Sequence, residues 1–141
     1  RMKKGERVFL CGDFNEPSNL DWTDRSAAAG FHFKTMVPWP CSSKIIASGM
    51  VDSLRAVYPD ECDFPAVTWT TVPGEGVGGA ADVINEVHDR IDFVYHAGGD
   101  IRPVAAEIIG ENEKHSDLVV VPYPSDHRAV VVRFCLNLEL N

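Results

Sequence analysis

The sequence predicts a mixed α/β (α+β) fold, built on a mixed, mainly antiparallel sheet with flanking helices. Three observations lead there: strand-like apolar runs dominate the second half, helical patterns lie between strands in the first, and no internal repeat is present. A chain of 141 residues fits one domain, residues 1–141, able to bury roughly 70% of its unfolded surface.

Arg7-Val8-Phe9-Leu10-Cys11 is β-prone, apolar and stopped by Gly12, which predicts a buried strand. A polar turn follows from Asp13 to Ser18. Ser18 and Asp21 then form a possible capping pair for a short helix over residues 20–29, which Gly30 ends. Residues 31–41 hold two prolines and three large aromatics and read as an ordered loop. Ser42 or Ser43 caps a helix running to Ser48, with Gly49 as its stop. Val51, Leu54, Val57 and Tyr58 recur at helical spacing before Pro59, which predicts a third helix over 51–58. Residues 67–72 alternate as a strand does. The glycine-rich run 73–79 lacks the GK[ST] ending of a phosphate-binding loop and reads as a surface loop. Strands are predicted over 89–95, 104–109 and 128–136, with 118–121 as a further short one.

With 45% hydrophobic and 24% charged residues, the chain has a soluble globular composition, leaning toward an exported protein. No apolar run approaches the ~20 residues that span a bilayer. The basic start, Arg1 to Gly5, precedes no apolar stretch, so it is not a signal peptide; it leads straight into a strand, like a cut inside a longer chain. A net charge of −8 leaves no basic stripe for tracking along nucleic acid, although a divalent cation lets an acidic protein act on phosphate esters. The four cysteines form no CxxC pair. Cys11 and Cys135 read as buried thiols, while Cys41 and Cys62 could pair in an oxidising compartment.

Three segments place polar groups beside a strand. In Gly12-Asp13-Phe14-Asn15, extended backbone points Asp13 and Asn15 to one side and Phe14 to the other. A carboxylate that takes a proton from water and a carboxamide that donates to a phosphate oxygen suit catalysis, while an Asx turn explains the same residues structurally. In Asp89-Arg90-Ile91-Asp92-Phe93-Val94-Tyr95, a mid-strand Asp92 needs a partner. That partner is either Arg90 on an exposed face or a functional group elsewhere. Ser125-Asp126-His127, before the strand over 129–132, offers a metal-capable carboxylate and a titratable ring, or else only a polar turn. Taken together, Asp92 could hold His127 as a carboxylate holds an imidazole in a hydrolase, with Asp13, Asn15 and Asp126 around a phosphorus atom.

In order, Gly12-Asp13-Phe14-Asn15, Arg90-Ile91-Asp92-Phe93 and Ser125-Asp126-His127 resemble the C-terminal motifs of the endonuclease/exonuclease/phosphatase (DNase I-like) superfamily. The resemblance runs from Val8 to about Phe134, and Thr68-Trp69-Thr70 is similar to bacterial members. It implies half of a four-layer α/β sandwich, with the N-terminal half missing, and a metal-dependent phosphoesterase using Mg²⁺ or Mn²⁺. By resemblance, Asp13 positions or deprotonates water, Asn15 contacts phosphoryl oxygens, and Asp92 orients His127. His127 then stabilises the transition state, and Asp126 sits at the metal. The superfamily's main metal-ligating glutamate has no counterpart here, since Glu6 stands in the wrong context. Without its other half, the chain is expected to expose the apolar inner face of its sheet and to have weak or no activity alone.

The rival reading is a binding module that grips a phosphorylated ligand or a protein without turnover. The expected substrate is a phosphate ester, and the acidic charge favours a small or lipid phosphodiester over duplex DNA. His32, His88, His96 and His115 read as surface or loop histidines. Trp22, Trp39 and Trp69 read as packing first and groove lining second.

Overall fold

The structure is a computed structural model that describes residues 6–69, 71 and 88–137. The chain is α+β, with short helices in the first half and two small three-stranded sheets. The first sheet runs β1-β3-β2: β1 (Val8–Asp13) and β2 (Val51–Asp52) lie antiparallel on either side of β3 (Asp92–Ala97). The second runs β5-β4-β6: β4 (Ile101–Gly110) pairs in parallel with β5 (Leu118–Val119) and antiparallel with β6 (Ala129–Leu136).

The strands follow the apolar runs, while the helices start elsewhere than the sequence predicts. Helix α1 (Asp24–Ala28) begins four residues after Leu20, because Thr23 and Ser26 form the capping box. Residues 18–22 instead turn on the Ser18 carbonyl, which accepts from the Asp21 and Trp22 amides, and Asp21 is consumed by two arginines described below. Residues 32–34 form a single 3-10 turn inside the expected loop. In α2 (Pro40–Ala47) proline stands at the first turn, where its missing N–H costs nothing, and Ser43 donates back to the Trp39 carbonyl (2.7 Å) instead of capping. The helix expected over 51–58 divides. Val51 and Asp52 pair with β3, and α3 (Ser53–Val57) starts from Asp52, whose carboxylate accepts from the Leu54 and Arg55 amides. Of the strand expected over 67–72, residues 70 and 72 lie outside the described residues, and the described ones make single-residue bridges from Trp69 to Asp89 and to His127. The glycine-rich run 73–79 lies outside the described residues.

Two apolar clusters hold these elements. Leu54, Ala66, Ala106 and Ile108 join α3 to β4, with Val57, Tyr58, Val130 and Val132 packed against them. Met50, Phe93 and Tyr95 form the second, under Val8, Phe14, Ile45 and Ile46. Between them lies a buried ionic network. Arg90, 3% exposed, donates to Asp21 (2.9 Å) and to Asp52 (2.7 Å), and Arg55 donates to Asp21 (2.6 Å). Burial opposes the charged forms of Arg90 and Asp52. The opposite charges win, so the Arg90 pKa rises and that of Asp52 falls.

Two sequence expectations, on Cys11 and on His96, fail here for identifiable reasons. Cys11 is exposed rather than buried, because β1 is an edge strand with Phe9 and Leu10 exposed beside it. Cys41 and Cys62 are both free thiols. His96 is buried, 5% exposed: its Nδ1 lies 2.8 Å from the Ser53 hydroxyl and its ring meets Phe134 edge-on, on the face of β3 opposite Phe93 and Tyr95. Val104, Val131 and Leu136 are also exposed, so apolar side chains of both sheets face solvent in this chain. None of the described helices is long and apolar enough to cross a membrane.

Candidate functional site

Register brings the first two motifs together. Asp13 ends β1 directly opposite Asp92, which opens β3. Gly12, at φ +151°, bends the strand end in a conformation that side-chain-bearing residues rarely adopt. Phe14 turns inward onto Phe93 and Tyr95, with ring centroids 5.5 and 5.7 Å away, while Asp13 and Asn15 remain exposed. Asn15 takes the left-handed backbone (φ +50°) that asparagine tolerates. Its amide donates to Asp13 Oδ1 (2.7 Å) and its Nδ2 to Asp13 Oδ2 (3.0 Å). The Asx turn and the shared facing of these residues are therefore the same arrangement: one carboxylate held by its neighbour, with the second Nδ2 hydrogen still available for a ligand.

The third motif arrives from the other sheet. His127 precedes β6, and its Nδ1 lies 2.9 Å from Asp92 Oδ2 with both side chains half-buried. Asp92 therefore meets His127 rather than Arg90, whose guanidinium is spent on Asp21 and Asp52. The bond to Nδ1 fixes the ring's orientation and leaves Nε2 for a ligand. Burial opposes the imidazolium, but the Asp92 hydrogen bond and charge outweigh it, helped by Asp13 and Asp126, and the His127 pKa rises above its ordinary value. Ligand atoms of Asp13, Asp92 and His127 all lie within 4.8 Å of one another. Two carboxylates this close disfavour each other's charge, and a cation between or beside them relieves it. Asp126 is exposed; its backbone carbonyl is held by the Thr71 amide (2.9 Å), and its charge acts on His127.

A second cluster, Asp60, Glu61 and Cys62, is accounted for by its own loop. Asp60 pairs with Arg25 and accepts from the Cys62 and Asp63 amides, and Glu61 accepts from Thr23. A cavity of about 280 Å³ opens over the ionic network, lined by Asp21, Arg55, Arg90, His32, Lys114 and His115 among others, and includes none of Asp13, Asn15, Asp92, Asp126 and His127.

Sequence reasoning undervalued the segment around Trp69. Its ring lies 4.7 Å from that of His127, whereas Trp22 and Trp39 pack edge-on against each other, with Trp22 donating to Asp89 (2.8 Å). Thr68, fully buried, accepts from the Ile91 and Asp92 amides at 3.0 and 3.2 Å. The only foresign was the Thr68-Trp69-Thr70 run itself.

No family model matches the chain, and no solved structure does. It is similar to the uncharacterized protein F14F9.5 of Caenorhabditis elegans, with 32% identity over 142 residues that cover 92% of this chain and 41% of that protein. The chain thus spans about two-fifths of the length of the curated relative it matches.

Proposed function

We propose that this chain is the C-terminal part of a metal-dependent phosphoesterase domain that hydrolyses phosphate esters by in-line attack of water. The observation that carries the reading is the Asp92–His127 bond of 2.9 Å standing beside the Asp13–Asn15 pair, four polar groups from three separated motifs in one place. In this reading Asp13 accepts the proton of the attacking water as its oxygen bonds to phosphorus. Asn15 donates to a phosphoryl oxygen, and His127, charged and held by Asp92, faces the developing negative charge with Nε2. The bond to the leaving oxygen breaks on the opposite side of phosphorus.

The donor set fits a hard divalent ion such as Mg²⁺ or Mn²⁺: carboxylate oxygens predominate, and an ion with few protein ligands keeps several waters. By the resemblance Asp126, which is not among the clustered ligand atoms of Asp13, Asp92 and His127, would hold it together with ligands from outside this chain, and bound there it would offset charge on the phosphoryl group. Two observations fit a domain larger than this chain. The similar nematode protein is longer, and Phe9, Leu10, Val104, Val131 and Leu136 leave apolar side chains of both sheets exposed.

Incubating the full-length natural protein with a generic phosphodiester and a generic phosphomonoester tests the reading. Turnover is expected to require Mg²⁺ or Mn²⁺, to stop on chelation and to return on adding the metal back. A folded, metal-supplied protein that turns over neither ester would contradict it and favour a module that binds phosphorylated ligands.

A further inference from the structure

Asp92 opens β3 of the first sheet and His127 precedes β6 of the second, so their contact depends on whatever holds the start of β3 beside the approach to β6. Among the described residues, the segment from Thr68 to Thr71 bonds to both sides. Toward β3, the Thr68 and Trp69 amides donate to the Asp89 carbonyl (3.0 and 2.9 Å), and the Asp89 amide returns a bond to Trp69 (3.1 Å). The Thr68 hydroxyl oxygen then accepts from both the Ile91 and Asp92 amides. Toward β6, the Thr68 carbonyl accepts from the Arg128 amide (2.8 Å). The Thr71 amide donates to the Asp126 carbonyl (2.9 Å), and the Thr71 hydroxyl donates to the Ser125 carbonyl (2.8 Å). Both threonines are buried, at 0% and 6% exposure, so water does not readily replace either hydroxyl.

We propose that Thr68 and Thr71 are positioning residues: Thr68 sets the backbone of Asp92, Thr71 sets the loop carrying Asp126 and His127, and together they fix the Asp92–His127 alignment. The proposal rests on the phosphoesterase reading for what that alignment does, but not for whether it exists. A hydroxyl is required at both positions. Valine has nearly the shape of threonine, yet it would leave the Ile91 and Asp92 amides without their acceptor at position 68 and remove the Ser125 contact at position 71. A displacement of up to an ångström at a reacting group costs up to about a hundredfold in rate without weakening substrate binding to match.

The test uses the full-length protein with two readouts. The first is the His127 Nδ1–H proton resonance, assigned by its loss in His127→Ala. Thr68→Val is expected to broaden or abolish it, whereas Thr68→Ser, which keeps the oxygen, retains it. The second is Mg²⁺-dependent hydrolysis of bis(4-nitrophenyl) phosphate. For Thr68→Val, kcat is expected to fall about ten- to a hundredfold with KM within about twofold. Thr68→Ser is expected to restore most of the rate, and Thr68→Val should add nothing further in an Asp92→Asn background. A Thr68→Val protein with an unchanged resonance and rate, or losses that multiply with those of Asp92→Asn, would overturn the proposal. Should Thr68→Val fail to fold, Thr71→Val decides by the same two readouts. An inactive wild-type protein would sink the phosphoesterase reading, and the resonance would still decide the positioning role.

Discussion

In the full-length protein, His127→Ala is expected to lower kcat for a phosphodiester by about 10²–10³-fold, the loss typical of removing one preorganised group that faces transition-state charge. The fold should survive, because His127 is half-buried at the mouth of β6 and lies outside both apolar clusters. Against burial, the Asp92 hydrogen bond and charge raise its pKa, so the ring stays charged to higher pH than an ordinary histidine. Asp92 supplies that shift and the ring's orientation, so Asp92→Asn should mimic the histidine change and, combined with it, cost no more than His127→Ala alone. Steady-state kinetics on the two single variants and the double variant check this. Additive losses would separate the two residues, and a near-normal rate in His127→Ala would remove the histidine from the chemistry.

Arg90→Ala is expected to be the most damaging single change to stability, by about 3–5 kcal/mol, the usual cost of stripping one partner from a buried ion pair. Its guanidinium is the shared counter-charge of Asp21 and Asp52, both 5% exposed or less, and it also lies over the Phe93 ring at 4.6 Å. Asp21 keeps Arg55, and Asp52 keeps two backbone amides, but neither recovers the lost charge. A loss of that size is a large share of a typical domain's stability. The network also sets a pH dependence. Asp52 has a folded pKa below its ordinary value of 3.8, so its contribution is present above that pH and is lost as pH falls through the lower folded value. Urea unfolding near neutral pH and again below pH 4 measures both effects. In Arg90→Ala, the Asp52 share of the acid loss should disappear. A stability change under about 1 kcal/mol would mean that the network contributes little.

Much of this was legible in the sequence, for reasons that differ from element to element. The strands β1, β3, β4 and β6 announce themselves by continuous or alternating apolar residues, although β1 proves to be exposed. The three motifs each end beside such a strand, which is why Asp13, Asn15, Asp92, Asp126 and His127 could be singled out. The helix starts were misplaced because Asp21 and Asp52 look alike in sequence. Both pair with Arg90, which lies 69 and 38 residues away respectively, and only Asp52 also caps a helix, α3. Arg90 itself stands two positions from Asp92 and invited pairing with it, yet the chain turns its guanidinium into the core. Thr68 and Thr71 escaped because a segment that makes single-residue bridges has no periodicity, and a hydroxyl that accepts backbone amides leaves no mark on composition.

The most direct measurement is isotopic. The full-length protein would turn over a phosphodiester with Mg²⁺ in water enriched in oxygen-18, and the products would be weighed by mass spectrometry. Attack of water at phosphorus predicts one heavy oxygen in the phosphate product and none in the released alcohol. Label in the alcohol, or turnover that leaves both products unlabelled, would contradict the account.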